Sequence, residues 1–198
     1  MNIHSVLATH PHESEKAEAI LGAALQLFVE RGFHGTSVPS VAERAGVAAG
    51  TIYHYFASKE ALVNVLYKRW KGAIGAQVFD SFPAEAPMRE QFRAVWGRMA
   101  EFAIAHPKEL SFLEFHHHAS YLDAESVATE RQVFDFGVKV VEMAQALQAL
   151  KPIPAPLLLE FANGAFLGVF RAGLAGRAPL TKETFMLAEQ CAWEAVRA

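Results

Sequence analysis

Apolar residues recur at spacings of three and four through nearly all of this 198-residue chain, and period-two alternation is almost absent. That spacing stacks apolar side chains on one face of a helix and offers a strand no face to bury, so the fold class is all-α. With 52% of its residues hydrophobic, the chain has enough apolar surface for ordinary cores, which excludes a disordered polymer. Its single cysteine, Cys191, has no internal disulfide partner, and the expected setting is reducing and cytoplasmic. The longest apolar stretch, from Leu157 to Phe170, is interrupted by Glu160 and Asn163 and closed by Arg171. It falls short of the ~20 nearly uncharged residues of a membrane span. Residues 1–13 hold no Lys, no Arg and no long apolar run, and read as a flexible tail in which His4, His10 and His12 have no assigned role.

The first helix is expected from Ser14 to Arg31, with Ala17, Ile20, Leu21, Ala24, Leu27 and Phe28 inward and Gly32 just past its end. A short second helix follows, capped by Thr36 or Ser37, carrying Pro39 in its first turn and ending at Gly46. A third, from Ala48 to about Phe56, anchors Ile52 and Phe56 on one face. Two short helices joined by a tight glycine turn form a helix-turn-helix. A long helix from Glu60 ends before Phe82-Pro83, and the next runs from Met88 to Ala105. A sixth holds the histidine run, and a seventh continues from Asp123 through Leu147 to the proline-rich break at 151–156. The last two span Leu157–Leu174 and Lys182–Arg197.

Several residues of the third helix suit DNA on chemical grounds. Gly50 permits close backbone approach to a phosphate, Thr51 offers a hydroxyl and a methyl, and Tyr53 and His54 carry polar tips on rigid rings. Ser58 can cap the fourth helix, whose first amides and Lys59 together suit a phosphate. Tyr55, beside Phe56, is expected to pack rather than read bases. Residues 1–70 hold six bases (Lys16, Arg31, Arg44, Lys59, Lys68, Arg69) and six acids, so placement rather than net charge must draw the DNA.

In order and without gaps, Gly32-Phe33, Thr36-Ser37-Val38, Val41-Ala42, Ala45-Gly46-Val47 and the run GTIYHYFASKEAL from Gly50 to Leu62 resemble the TetR-type family of bacterial transcriptional regulators. The likeness covers about the first third of the chain. It implies a helix-turn-helix DNA-binding domain over 14–60, joined by a long helix to a helical effector-binding and dimerisation domain over 61–198. It also implies DNA contacts at Thr36, Ser37, Ala49, Gly50, Thr51, Tyr53, His54 and Lys59. Ala48 and Ala49 depart from the family pattern, which often has a hydroxyl at the first position and a larger polar side chain at the second. The first removes a helix cap worth about 1 kcal/mol and the second a base contact.

The remaining two thirds hold 12 of the 15 phenylalanines. Phe92, Trp96, Met99, Phe112, Phe115, Phe134 and Phe166 exceed what a minimal bundle needs, and form a candidate apolar pocket with His117 and Tyr121 as polar anchors. Consecutive residues of a helix point about 100° apart, so His116, His117 and His118 cannot converge on one metal ion. The helix over Leu157–Leu174 is apolar nearly all round, and a partner subunit is its natural cover. The family resemblance implies a four-helix homodimer seam there, containing Leu158, Phe161, Ala165, Gly168, Ala188, Cys191 and Ala195. No nucleophile motif, phosphate loop or zinc-protease motif occurs, and neither enzyme activity nor a cofactor is expected. The leading expectation is a repressor that binds a palindromic operator and is released by a small apolar or aromatic effector. The alternatives are an operator-binding protein governed by a protein partner, and a metal-binding or catalytic helical domain built on the histidine run.

Overall fold

The computed structural model describes residues 11–80, 82–115 and 120–198, with side chains from residue 15 onward. Nine helices occur among the described residues: α1 Pro11–Arg31, α2 Val38–Ala45, α3 Ala49–Tyr55, α4 Lys59–Phe79, α5 Met88–Ala105, α6 Pro107–Phe115, α7 Ala124–Ala146, α8 Ala155–Leu174 and α9 Lys182–Val196. No strand occurs among them, and the one bridge, Leu150 with Arg197, is isolated. The chain divides into two compact units, one of residues up to Trp70 with Lys108–Val127, the other of Lys71–Pro107 with Ala128–Ala198. The stretch Lys108–Val127, placed beyond residue 61 by the sequence reading, thus groups with the N-terminal helices. The physical reason is long-range pairing that spacing along a chain cannot show: Phe112 stacks on Phe28, and Tyr121 on Phe33.

In the first unit, α1 buries Ala17, Ile20, Leu21, Ala24, Leu27 and Phe28, the expected inward set. Helix α2 docks Val38, Val41 and Ala42, and α4 buries Leu62, Val63, Leu66 and Tyr67. Arg44 of α2 reaches the α1 residues Gln26 at 3.2 Å and Glu30 at 3.1 Å. That hydrogen bond from Arg44 holds the Glu30 carboxyl below the ordinary carboxylate range.

In the second unit an aromatic cluster forms the centre, with Trp96 edge-to-face against Phe166 and Phe166 stacked on Phe185. The Trp96 indole donates to the Phe185 carbonyl at 2.8 Å, which satisfies its buried N–H. A second cluster joins Val141, Ala144, Leu150, Ala155, Leu158 and Val196. Helix α8 begins two residues earlier than the proline break suggested. Pro154 caps it and Pro156 sits in its first turn, where a missing N–H costs no hydrogen bond.

Glu189 of α9 is 4% exposed and its two oxygens accept from the two terminal nitrogens of Arg89, one at 2.9 Å. Arg89 in turn lies over the Trp193 ring. Removing one partner of such a pair strands a buried charge, whereas removing both does not. Arg89→Ala is therefore expected to destabilise the protein by about 3 kcal/mol, and Arg89→Met with Glu189→Leu by much less. Chemical denaturation of wild type and these two variants measures the difference.

Candidate nucleic-acid interface

The helix-turn-helix is built by caps. The Ser37 hydroxyl accepts from the Ser40 amide at 3.2 Å while the Ser40 hydroxyl accepts from the Ser37 amide at 3.1 Å, a reciprocal box that starts α2. Gly46 ends it at φ 67°, a conformation costly for a side chain, and Val47 donates back to Ala42 at 3.0 Å. Helix α3 then starts at Ala49 with no side-chain cap from Ala48, and Ile52 is its buried anchor. Ala49, Gly50, Tyr53 and His54 are exposed together, and Tyr53 is 58% exposed although it is a large aromatic. Thr51, Tyr55 and Phe56 are half-buried. The arrangement leaves one short helix presenting backbone, imidazole and phenol outward, the groups that suit phosphates and base edges.

Two candidates, Thr36 and Lys59, sit differently from the sequence expectation. Thr36 is 1% exposed and its hydroxyl donates to the Gly32 carbonyl at 2.8 Å, closing the turn after α1. Lys59 points inward, donating to the carbonyls of Phe33 at 2.7 Å and Thr36 at 2.8 Å, with its ammonium 3.9 Å from the centre of the Phe33 ring. Ser58 does cap α4, accepting from the Ala61 amide at 3.2 Å. The first turn of α4 already carries an anion: the Glu60 carboxyl is held below its ordinary range by its own amide and the Ser58 hydroxyl. Ser37 is exposed at the start of α2.

Sequence reasoning missed Asn64. Its amide nitrogen donates to the carbonyls of Glu60 at 2.9 Å and Tyr121 at 2.8 Å, and its oxygen accepts from the Asp123 amide and the Ser126 hydroxyl, both at 2.8 Å. The available signal was a polar residue three positions before the buried Tyr67, in a register otherwise apolar.

The pocket candidates separate. Phe112, Phe115 and Tyr121 belong to the first unit; Phe92, Trp96, Met99, Phe134 and Phe166 belong to the second. His117, with the rest of the run His116–His118, lies outside the described residues, as do His4 and His10. Phe134 is 37% exposed, while Phe92 packs on Trp96. The second unit has an open cleft of about 460 Å³ between α5 and α9, with Trp96, Phe185 and Met186 on its apolar side and Arg93, Glu101, Lys182 and Gln190 among its charged and polar lining. Of the seam candidates, Leu158 is a correction: it is 3% exposed and belongs to the core of the chain itself. One residue earlier, about 100° around the helix, Leu157 is exposed instead. Phe161 and Gly168 share that open side of α8, and Cys191 and Ala195 are exposed on α9; Ala165 and Ala188 are half-buried. Helix α8 is also long and apolar enough in composition to cross a membrane.

Residues 20–66 match the family described as bacterial regulatory proteins of the tetR family, and residues 73–198 match the tetracyclin repressor-like C-terminal domain. The transcriptional repressor KstR2 of Mycobacterium tuberculosis is 35% identical over 88 residues, covering 44% of this chain and 43% of that protein. The chain spans between 39% and 54% of the length of the curated relatives it matches first. Among solved structures, a TetR family transcription regulator from Marinobacter aquaeolei superimposes with a TM-score of 0.79 at 26% identity, covering 94% of this chain and 97% of the other. AibR, solved with isovaleryl coenzyme A and operator DNA, superimposes with a TM-score of 0.71 at 21% identity, covering 89% and 96%.

Asp123 opens α7 by accepting from the Ser126 amide at 2.8 Å, and Lys68 lies between Asp123 at 3.6 Å and Glu125 at 2.6 Å. Burial raises the Asp123 carboxyl, but the Ser126 amide and Lys68 outweigh it and hold it below the ordinary range. A carboxyl lowered on folding contributes stability that is present at neutral pH and lost as pH falls through its folded value. Asp123→Ala should therefore flatten the fall in stability below about pH 4, read from melting temperatures across an acid series.

Proposed function

Since the chain belongs to the TetR family of bacterial regulatory proteins, we propose that it is a homodimeric repressor that binds a palindromic operator and leaves it when a small, largely apolar effector binds. Family membership makes it a DNA-binding transcriptional regulator and not an enzyme. The finer reading is carried by the exposed side of α3, where Ala49, Gly50, Tyr53 and His54 stand clear of the core on a helix anchored by Ile52. One seven-residue helix reads too few base pairs for a genome-wide address, so two copies related by a two-fold axis are needed. Leu157, Phe161, Leu174, Met186 and Leu187 are all exposed on the last two helices, and a second copy of the same face would cover them. DNA fixes the place of action as the cytoplasm.

The effector reading draws on the aromatic cluster of the second unit and on the open cleft beside Trp96. Its apolar wall favours an acyl or aromatic group, and the structural neighbour AibR was solved with an acyl thioester. An effector acts only by binding the DNA-free state more tightly, and a tenfold loss of DNA affinity requires about 1.4 kcal/mol of coupling.

Two experiments test these points. Selection from random duplexes should enrich an inverted repeat. On that duplex Tyr53→Ala should bind at least tenfold more weakly with no change in melting temperature, and Gly168→Glu should yield a monomer by light scattering that no longer binds it. A wild-type protein that enriches no sequence, or that is monomeric at micromolar concentration, rejects the reading. For the effector, isovaleryl coenzyme A, a long-chain acyl thioester and an aromatic acid are titrated with and without the selected duplex. Coupling must appear equally in both directions, and a tight ligand with equal affinity in both titrations is not the inducer.

A further inference from the structure

We propose that Tyr121 and Asn64, neither of which lies on α3, are positioning residues for operator recognition, and that residues 121–126, at the start of α7, are thereby a working part of the DNA-reading unit. The proposal rests on the DNA-binding reading above. Its basis is a set of directional contacts within the first unit that converge on the turn joining α1 to α2.

That turn is held from three sides. Lys59 binds the Phe33 and Thr36 carbonyls, Thr36 binds the Gly32 carbonyl, and the turn is so tight that a Cβ at Gly35 would stand 2.4 Å from the Arg31 carbonyl oxygen. The third side is Tyr121. Its ring stacks on Phe33 with centroids 3.7 Å apart and planes 20° apart, and its hydroxyl lies 2.6 Å from Nε2 of His34. Phe33 and Tyr121 are half-buried and His34 is exposed, so burial of area alone does not account for the contact. The turn leads directly into Ser37, the cap of α2, and from there through Gly46 into α3. Any displacement of Phe33 and His34 therefore displaces the start of the helix-turn-helix.

Tyr121 is itself fixed by Asn64. All four of the hydrogen bonds that the Asn64 side chain makes are directional, and three go to the Tyr121 carbonyl, the Asp123 amide and the Ser126 hydroxyl. The fourth, to the Glu60 carbonyl, ties the same side chain to the first turn of α4, next to Lys59. One asparagine thus sets the register between α4 and the segment that carries Tyr121, and Tyr121 with Lys59 sets the turn. A buried polar network of this kind specifies a unique arrangement rather than adding area-dependent stability.

The test uses the full-length chain and the duplex that wild type enriches from a random library, with an unrelated duplex as reference. Tyr121→Ala should weaken binding to the selected duplex at least tenfold while binding to the unrelated duplex changes less than twofold. Tyr121→Phe, which keeps the stack on Phe33 and loses the hydroxyl, should recover most of that loss. Asn64→Ala should resemble Tyr121→Ala. Affinity of folded Tyr121→Ala for the selected duplex within twofold of wild type overturns the proposal, because a residue that only supports the fold would lower the melting temperature and leave the ratio of the two affinities intact. Where Tyr121→Ala does not fold, hydrogen exchange on wild type decides. By reciprocity, saturating selected duplex must slow exchange of the amides of 121–126, and unchanged exchange there overturns the proposal. Enrichment of no sequence by wild type counts instead against DNA binding itself.

Discussion

A helix that ends leaves carbonyl oxygens without partners, and a tight turn placed straight after it adds more. In this chain the carbonyls of Phe33 and Thr36 are taken by one ammonium, that of Lys59, reaching from the first turn of α4. A hydrogen bond to a charged donor is worth roughly twice a neutral one, and here one side chain makes two of them across 26 and 23 residues of sequence. Where α2 begins, and through Gly46 where α3 lies, depends on the place of that turn. Lys59 is thus better understood as the brace of the reading unit than as one of its contacts with phosphate.

The helices were legible because a period of three and four is a local property. Arg31, Gly46, Ala105 and Leu174 end their helices where charge, glycine and proline suggested. What could not be read was which helix face meets which. Lys59 looks like any lysine at a helix start, where phosphate is the usual guess, and only the folded turn reveals two carbonyls within its reach. Tyr121 and Phe112 were grouped with Trp96 because all are aromatic and distal. Their partners, Phe33 and Phe28, lie more than eighty residues away in sequence. Leu157 and Leu158 are adjacent and chemically identical, and periodicity alone does not say which of the two the chain buries.

The second unit shows how far composition goes. Its aromatic surplus is real, but much of it forms a close cluster in which Phe166 touches both Trp96 and Phe185. The open volume lies beside this cluster, toward α9, and is bordered by Arg93, Glu101 and Gln190 as well as by apolar side chains. A molecule held there would meet several charged and polar groups beside a limited apolar side, which favours a ligand with a polar head over a wholly apolar one.

Helix α3 is seven residues long, has no side-chain cap and buries only Ile52. Ala49, Gly50, Tyr53 and His54 therefore owe almost nothing to the core, and exchanging such surface side chains ordinarily alters stability by no more than about 0.5 kcal/mol. On the proposed function, the letters that address the DNA are in this way separated from the letters that fold the protein. A lineage can rewrite its address at those positions one substitution at a time without passing through an unfolded ancestor, provided the isoleucine beneath them and the lysine behind them stay in place.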